Sequence, residues 1–350
     1  MKILELNFER GWRGGERQTI YNMQGFRDAG HEVGLVCREG CPLAKKAVDE
    51  GFKVFSFENI FGVIGFLTTS GSKYDVLHVQ TSHILTYCLI TKPFHRRKII
   101  FSRRVDFVPK GRLTKLKYKL TDKIIGVSTA VKEIISAFSE RDDVEVISDI
   151  AVEKPLNKER ALAELQKIGI GGTTHIIGTT AALVPHKDPL TMVEAIRELC
   201  YLRKDFVFLH FGAGELEVEV KRKIEEYHLK DRYKLMGFYE NVEDFFSVFE
   251  VFVMSSKEEG LGSSILDAFM YKVPVVATDA GGIKDILKED RGVVCNIKDS
   301  KMLAEGINEM VDSEKSSKLV SNAFVYVNNY HSSEFITKQY LDVIKQVVNA

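Results

Sequence analysis

Two acidic residues eight positions apart lie in the segment with the clearest capacity for chemistry. Residues 255–267 read SSKEEGLGSSILD, with Glu259 in a predicted loop after an apolar strand and Asp267 about one turn into the next predicted helix. Backbone amides at the helix start near Ser263, aided by the helix dipole, form a site for a phosphate. A carboxylate on each side of that site suits a diphosphate with hydroxyl groups at both ends, such as a nucleotide sugar. Spacing alone leaves open a tight turn with a capping serine and two solvated acids.

The predicted anion site comprises the glycine-rich turn and the first residues of this helix. Because glycine has no side chain, a ligand can approach the backbone closely at such a turn. We expect a diphosphate to contact Gly260, Leu261, Gly262, Ser263 and Ser264.

The same segment resembles the E-x7-E motif of the large retaining GT-B glycosyltransferase family (glycosyltransferase family 4-like, "glycosyl transferases group 1"). Residues 235–256, LMGFYENVEDFFSVFEVFVMSS, and residues 273–287, VPVVATDAGGIKDIL, resemble the family's flanking segments. The resemblance implies that Glu259 contacts hydroxyl groups of the donor sugar and that Asp267 holds the nucleotide ribose. Asp267 is one methylene shorter than the family's usual glutamate, which implies a looser or water-mediated ribose contact.

A lysine and two arginines are the candidates for stabilising the leaving group. Residues 181–189, AALVPHKDP, resemble the family's "GRL-x-x-x-KG", so the resemblance assigns Lys187 to the negative charge that grows on the departing nucleoside diphosphate. Alanines stand where the family has an arginine. We therefore expect Arg103 or Arg104, after a first-domain strand, to supply the missing cation. The alternative is that both arginines are solvated or bind an acceptor phosphate.

Glycines in two further turns are candidate ligand contacts. Gly14 and Gly15, in RGGE, resemble the family's first glycine-rich loop and are expected near the donor diphosphate or an acceptor phosphate. Gly212 and Gly214, in FGAGELE, resemble the family's nucleotide-side turn. They also match the first half of a dinucleotide fingerprint, which leaves a dehydrogenase as a weaker alternative. Phe238 is expected near the nucleotide base.

Histidines and metal ligands contribute little to the predicted site. His78, in YDVLHVQTSH, resembles the first histidine of the family's "DVIH-x-H", with Gln80 in place of the second. A histidine at a strand end is more often structural than catalytic, and the same holds for His186 beside Lys187. No cluster has the spacing of metal ligands, so we predict no metal and no cofactor besides the donor substrate.

The elements that position these residues alternate between strand and helix along the 350-residue chain. Runs such as KIIGV and VPVVAT are apolar throughout, which is typical of parallel strands covered on both faces. Strands are predicted at 2–8, 32–37, 52–57, 75–79, 98–102, 123–127, 144–147, 175–180, 206–211, 233–236, 251–254, 273–278 and 292–295. Predicted helices include 16–29, 45–50, 130–138, 189–202, 215–227, 242–249, 263–271, 302–311 and 333–348.

This order predicts an α/β protein with two doubly wound Rossmann-like domains that face each other across a cleft, the GT-B architecture. Residues 1–153 are predicted to form the acceptor-side domain, and residues 154–332 the nucleotide-sugar-binding domain. Residues 333–350 are predicted to form a C-terminal helix that packs back on the N-terminal domain. Ligands are expected at the carboxyl ends of the strands.

Composition and charge limit the possible partners. The 49 basic and 49 acidic residues give no net charge, which argues against a general nucleic-acid binder. Five scattered cysteines, no signal-like start and no apolar run of about 20 residues favour a cytoplasmic protein without a membrane span.

One stretch, residues 92–123, is nevertheless strongly basic. It holds twelve Lys or Arg residues against Asp106 and Asp122, with apolar residues interleaved. We expect it to dock on an anionic membrane, on the inner face of the cytoplasmic membrane, or on a phosphorylated lipid-linked acceptor. The alternative is a solvated surface balanced by acids elsewhere in the fold. RNA binding is the weaker reading, because no module of stacking aromatics accompanies the charge.

Together, these features predict a retaining, metal-independent, hexosyltransferase-type enzyme. The donor is expected to be a UDP-, GDP- or ADP-sugar, and the acceptor a glycan or a lipid-linked molecule in cell-envelope polysaccharide or lipopolysaccharide synthesis. The alternatives are a nucleotide-sugar epimerase of similar fold, an oxidoreductase on a Rossmann site, and a non-catalytic scaffold descended from a transferase.

Overall fold

The computed structural model of the chain describes residues 1–171, 174–311 and 314–350. The chain folds as two compact units. The first comprises Met1–Ile150 and Tyr330–Ala350, and the second comprises Ala151–Asn329.

The first unit is a seven-stranded parallel sheet with the order β3-β2-β1-β4-β5-β6-β7. Its strands are β1 (Lys2–Asn7), β2 (Glu32–Arg38), β3 (Lys53–Phe57), β4 (Val76–Val79), β5 (Lys98–Arg103), β6 (Lys123–Gly126) and β7 (Glu145–Val146). Its helices up to the end of β7 are α1 (Gly14–Asp28), α2 (Pro42–Asp49), α3 (Ile60–Ser70), α4 (Ser82–His95), α5 (Arg112–Leu120) and α6 (Thr129–Ser139). Ile3 pairs with Val33 on one side and with Val76 on the other, so the strand order reverses between β1 and β4.

The second unit, within its described residues, is a six-stranded parallel sheet with the order β10-β9-β8-β11-β12-β13. Its strands are β8 (His175–Thr180), β9 (Phe206–Phe211), β10 (Tyr233–Gly237), β11 (Val251–Met254), β12 (Val275–Thr278) and β13 (Val293–Cys295). Its helices are α7 (Lys158–Lys167), α8 (Pro189–Leu202), α9 (Glu217–Glu226), α10 (Ser263–Met270), α11 (Ile283–Leu287), α12 (Ser300–Val311) and α13 (Glu314–Tyr330). The strand order here reverses between β8 and β11, which pair directly.

Apolar strands and helix faces build the core of the second unit. Ile177 and Phe208, from neighbouring strands, pack with Ile196 of α8 and Ile307 of α12. Proline at the first position of α8 suits a helix start, where a backbone amide has no partner within the helix. Helices α8 and α12 therefore pack together against this sheet.

The last helix, α14 (Ser333–Asn349), completes the first unit. It packs against α1 and β5. A side chain at Gly25 of α1 would place its Cβ 1.9 Å from Oγ1 of Thr337, so glycine is required for the two helices to approach this closely. No helix among the described residues is both long and apolar enough to cross a membrane.

The strand pattern agrees closely with the sequence prediction, with ends that move by at most two residues. The prediction of two doubly wound α/β domains is confirmed. The predicted helix at 242–249 is wrong, because Val242–Ser247 forms a 3-10 helix. Asp244, Phe245 and Phe246 are all buried in this short turn.

Candidate active site

Lys187 and Glu259 form an ion pair at the strand-order reversal of the second sheet. Lys187 ends the short 3-10 turn after β8, and Glu259 lies in the loop after β11. Because β8 and β11 are parallel neighbours, both loops leave the same edge of the sheet. Nζ of Lys187 contacts Oε2 of Glu259, and both side chains are mostly buried. In doubly wound sheets this reversal point is where ligands bind.

Hydrogen bonds hold the two loops together. The backbone amide of Lys257 donates to the carbonyl of His186 at 2.8 Å. Oγ of Ser255 donates to the carbonyls of Lys187 and Asp188, at 3.2 and 3.0 Å. The lysine and the glutamate are therefore positioned by the backbone as well as by their own contact.

Ser256, together with the end of β12 and the loop after it, supports Glu259. Oγ of Ser256 donates to the Glu259 carboxylate at 3.2 Å. The buried Thr278 hydroxyl donates to the Ser256 carbonyl at 2.6 Å, and the Gly282 amide donates to the Glu259 carbonyl at 2.8 Å. Neither Thr278 nor Gly282 was predicted to have a role. The available signal was their place in the family-like segment, at and just after the end of a buried strand.

The predicted anion-site residues lie together at the start of α10. The helix begins at Ser263 after Gly262, whose φ of +94° favours glycine. A Cβ at Gly262 would lie 3.7 Å from Cγ of Glu259, so the glutamate is adjacent to the helix start. Ser264 Oγ donates to the Thr180 carbonyl at 3.3 Å, which fixes this start against the end of β8. Gly260 and Leu261, in the turn between Glu259 and the helix, are buried, and Asp267 is half-buried within the helix.

Gly212 and Gly214 lie in the turn after β9, the strand next to β8. A Cβ at Gly212 would lie 2.0 Å from the Ala181 carbonyl oxygen, and one at Gly214 would lie 2.3 Å from that of Leu183. Both glycines are thus required for packing against the loop that leads to Lys187. The loop at 181–187, which resembles the family's arginine-containing segment, is held by its close contact with these two glycines. His210 also supports it, because its Nε2 lies 3.0 Å from the Ala181 carbonyl.

Phe238 follows β10, the edge strand of this sheet, and is 72% exposed. Its neighbour Tyr239 packs instead on Phe211 and Phe245, with ring centroids 6.0 and 5.2 Å away. The predicted contact of Phe238 with a nucleotide base stays a prediction.

Gly14 and Gly15 form the first turn of α1, although they were predicted to lie in the loop before it. The helix starts at Gly14, and the backbone amide of Arg13 donates to the Glu16 carboxylate at 2.9 Å. Burial raises the pKa of Glu16 above its ordinary value, although the bonds from Arg13 and Asn7 oppose this. No atom lies within 4 Å of a Cβ built on Gly15, so this side of the turn is open.

Arg103 is bonded within the first unit, and its predicted role as a cation for the donor stays a prediction. Its side chain is buried and donates to the carbonyls of Val105 and Phe107 and to the hydroxyl of Tyr118. These bonds hold the loop after β5 against α5. The guanidinium therefore links the end of β5 to the loop after it and to α5.

Arg104 instead joins a buried polar network. It forms an ion pair with Asp149, and its Nε donates to Oε1 of Gln80 at 3.4 Å. Gln80 in turn donates to the buried Glu5 at 2.9 Å, and Glu5 lies 2.6 Å from Nδ1 of His78. The position of His78 fits the structural reading favoured by the sequence analysis, whereas Arg104 remains a candidate cation.

Over residues 1–171, 174–311 and 314–350, no group of three or more His, Cys, Asp or Glu side chains is arranged to hold a metal ion. Metal independence itself stays a prediction.

Comparison with protein families decides the class of the chain. Residues 162–324 match the model described as Glycosyl transferases group 1, and residues 12–149 match the model of Glycosyltransferase Family 4. The chain belongs to this GT-B glycosyltransferase family. The family prediction is therefore confirmed.

Two curated relatives and one solved structure illustrate the similarity of this chain to known proteins. It is 24% identical over 239 residues to the GPI3 subunit of phosphatidylinositol N-acetylglucosaminyltransferase from Saccharomyces cerevisiae, covering 67% of this chain and 51% of that protein. It is 24% identical over 235 residues to the lipopolysaccharide core biosynthesis glycosyltransferase LpsE of Rhizobium meliloti, covering 66% of each. The matched part thus spans between about half and two thirds of the relatives' own lengths.

The structural comparison supports the fold. The crystal structure of Anabaena HepE in complex with UDP and glucose superposes with a TM-score of 0.87 and 19% identity, covering 99% of both chains. At this level of identity, the similarity establishes a shared architecture.

Proposed function

We propose that this glycosyltransferase moves a sugar from a nucleotide-sugar donor to a glycan or lipid-linked acceptor, with retention of anomeric configuration and without a metal ion. The observation that carries the proposal is the Lys187–Glu259 pair at the strand-order reversal, beside the start of α10. These groups together offer a cation, a carboxylate and backbone amides at one edge of the sheet.

Donor binding follows from the charges of these groups. Backbone amides at the start of α10 bind the diphosphate, aided by the positive end of the helix dipole. Lys187 turns from Glu259 to a phosphate oxygen, and the Glu259 carboxylate then accepts hydrogen bonds from donor-sugar hydroxyl groups. Asp267 lies further along α10, where we assign it to the nucleotide ribose.

The transfer step needs charge stabilisation more than an enzymic nucleophile. The bond between the anomeric carbon and the diphosphate oxygen breaks, and the acceptor oxygen bonds to the same carbon on the same face. The departing phosphate oxygen takes the acceptor's proton. Lys187 and the helix amides stabilise the charge on the leaving diphosphate, and Glu259 orients the sugar.

The choice of donor and acceptor rests on the similar proteins. HepE was crystallised with UDP and glucose, which supports a UDP-hexose, and GDP- and ADP-sugars are the other candidates. The names of the relatives include phosphatidylinositol and lipopolysaccharide core biosynthesis. We therefore propose an acceptor in cell-envelope polysaccharide or lipopolysaccharide synthesis.

A thermal-shift screen against UDP-, GDP- and ADP-sugars tests the donor proposal. A ligand at 100 times its dissociation constant should stabilise the folded chain by about 2.7 kcal/mol. Product analysis by NMR then reports the anomeric configuration, and turnover in EDTA reports metal dependence. Stabilisation by NAD alone, or by none of the nucleotides, would contradict the proposal.

A further inference from the structure

The apolar side of α5 faces solvent. Leu113, Leu116 and Leu120 are 83%, 52% and 54% exposed. Their spacing of three and then four residues places them in one stripe along the helix, and we call this stripe the leucine face. Tyr118, on the other side of the helix, is fully buried and accepts a hydrogen bond from Arg103. The helix is thus anchored by a tyrosine and leaves its leucines in water.

The loop before α5 extends the same apolar surface. Phe107 and Val108 are both more than half exposed. Arg103 holds this loop by donating to the Phe107 carbonyl, and its guanidinium carbon lies 4.9 Å from the Phe107 ring centroid. The exposed ring is therefore presented on a pinned loop.

Helix α4 lies beside α5 and carries two more exposed apolar residues. Nζ of Lys117 donates to the carbonyl of Ser82, at the start of α4, at 2.6 Å. Ile90 and Phe94, both exposed, lie two and three turns further along the row of α4 that begins at Ser82. The apolar surface thus spans two neighbouring helices and a loop.

The fold neutralises part of the basic run and leaves the rest beside the leucine face. Lys115 and Lys119 share Glu140, and other lysines of this run pair with Asp122 and Glu145. Lys110 and Arg112, at the start of α5, are exposed and have no ion-pair partner in the described parts of the chain. Acidic residues elsewhere in the fold therefore balance only part of the positive charge of this surface.

We propose that the leucine face, with Phe107 and Val108, docks on a lipid bilayer that contains anionic lipids. Aliphatic side chains bordered by unpaired Lys and Arg suit the boundary between acyl chains and anionic head groups. Single-stranded RNA is bound by successive aromatic side chains on which bases stack, whereas most of the exposed apolar residues of this surface are aliphatic. The inference stands on this surface and does not depend on sugar transfer.

Co-sedimentation of the full chain with vesicles tests the proposal. We expect binding to phosphatidylcholine vesicles containing phosphatidylglycerol, weaker binding at high salt, and little binding to phosphatidylcholine alone. The triple substitution Leu113→Gln, Leu116→Gln and Leu120→Gln should weaken binding by about tenfold or more, because it removes the inserted apolar surface. The control is Leu202→Gln, Val218→Gln and Val325→Gln, three comparably exposed aliphatic residues of the second unit, which should bind as the unaltered chain does.

A charge variant tests the electrostatic part separately. Lys110→Gln with Arg112→Gln should weaken binding to anionic vesicles and reduce its salt dependence, whereas Lys45→Gln with Lys301→Gln should change neither. Thermal unfolding of every variant checks that the fold is retained. Equal binding to neutral and anionic vesicles, unchanged binding by the leucine variant, or binding to RNA but not to vesicles would overturn the proposal.

Site-specific fluorescence locates the contact. Trp12 is the single tryptophan of the chain, so Trp12→Phe gives a background without tryptophan emission. In that background, Leu116→Trp should be quenched by brominated lipids in anionic vesicles, and Val218→Trp should not. Equal quenching of both probes, or quenching of neither, would contradict docking through the leucine face.

Discussion

At the scale of single residues, the chemistry depends on a lysine and a glutamate that neutralise each other where a diphosphate is proposed to bind. Lys187 and Glu259 come from different loops, 72 positions apart in the chain, and meet because β8 and β11 are neighbours. An anionic ligand competes for Lys187, and its hydroxyl groups then satisfy Glu259. The ion pair therefore keeps the lysine and the glutamate mostly buried, with their charges neutralised, until a ligand binds.

Replacement of Lys187 tests this role directly. Lys187→Ala should lower turnover by about 10²–10³, as expected for the loss of one preorganised group that stabilises developing charge. Lys221→Ala, which removes an exposed lysine of α9 paired with Glu217, is the matched control and should leave turnover unchanged. The measurement is steady-state kinetics with the nucleotide sugar that the screen identifies. Near-normal turnover in Lys187→Ala would exclude it as the leaving-group cation.

A buried histidine near this loop predicts a pH effect on stability. Burial lowers the pKa of His210 to about 4, although its bond to the Ala181 carbonyl opposes this, whereas an unfolded histidine titrates near 6.5. Because the unfolded chain takes up the proton first, stability is full above about pH 6.5 and falls as the pH drops toward 4. Between pH 7 and 5, this histidine should cost on the order of 2 kcal/mol.

Urea unfolding at the two pH values measures this cost. His210→Gln cannot take up the proton, so its stability should fall by less than that of the unaltered chain over the same range. Equal losses in the two proteins would show that other groups cause the acid sensitivity.

At the scale of elements, the turn after β9 packs closely against the loop that leads to Lys187. This is possible because Gly212 and Gly214 have no side chains. Gly214→Ala should destabilise the chain by about 1–3 kcal/mol, the range for overpacking, because the new Cβ would lie 2.3 Å from the Leu183 carbonyl. The displaced loop should also raise the KM for the donor. Gly65→Ala is the control: it lies within α3 with no atom within 4 Å of its Cβ, and should be neutral or stabilising. Chemical denaturation and donor kinetics check both variants, and an unaffected Gly214→Ala would contradict the packing argument.

Elements also show where sequence reasoning succeeds and where it stops. Buried parallel strands can be predicted from sequence because runs such as VVAT must be mostly apolar on both faces. The segment around Glu259 can be predicted because its acidic residues, glycines and helix start are close together in the sequence. The buried contacts of Arg103 cannot be predicted in this way. Its partner Tyr118 belongs to the next helix, and nothing in the local sequence indicates that the two side chains meet. Likewise, the glycine-rich turn after β9 suggested a ligand contact, whereas its close approach to Ala181 and Leu183 could only be seen in three dimensions.

At the scale of the whole molecule, the chain returns to the first unit after completing the second. Residues Tyr330–Ala350 belong with Met1–Ile150, so the first unit is assembled from both ends of the chain. Tyr340 of α14 packs its ring 6.1 Å from that of Phe26 and 5.1 Å from that of His78, centroid to centroid. Its hydroxyl lies 3.4 Å from Oγ of Ser102, whose own partner is His78. The last helix thus covers the polar network that includes Glu5.

Removal of residues 331–350 should therefore destabilise the first unit selectively. The deletion exposes apolar surface of α1 and β5, and it opens the buried contact of Glu5 with His78 to water, so the network loses its shielded environment. Differential scanning calorimetry should show a transition of the first unit at lower temperature, while nucleotide stabilisation of the second unit persists. A milder variant, Tyr340→Phe, keeps the ring and removes only the hydroxyl, and should lower the transition by less. Phe335→Gln, at a partly exposed position of the same helix, is the control and should lower the transition least. A helix that completes a core cannot be removed without lowering the free energy of unfolding of that core. An unchanged calorimetric profile after the deletion would therefore mean that α14 lies on the surface of the first unit without stabilising it.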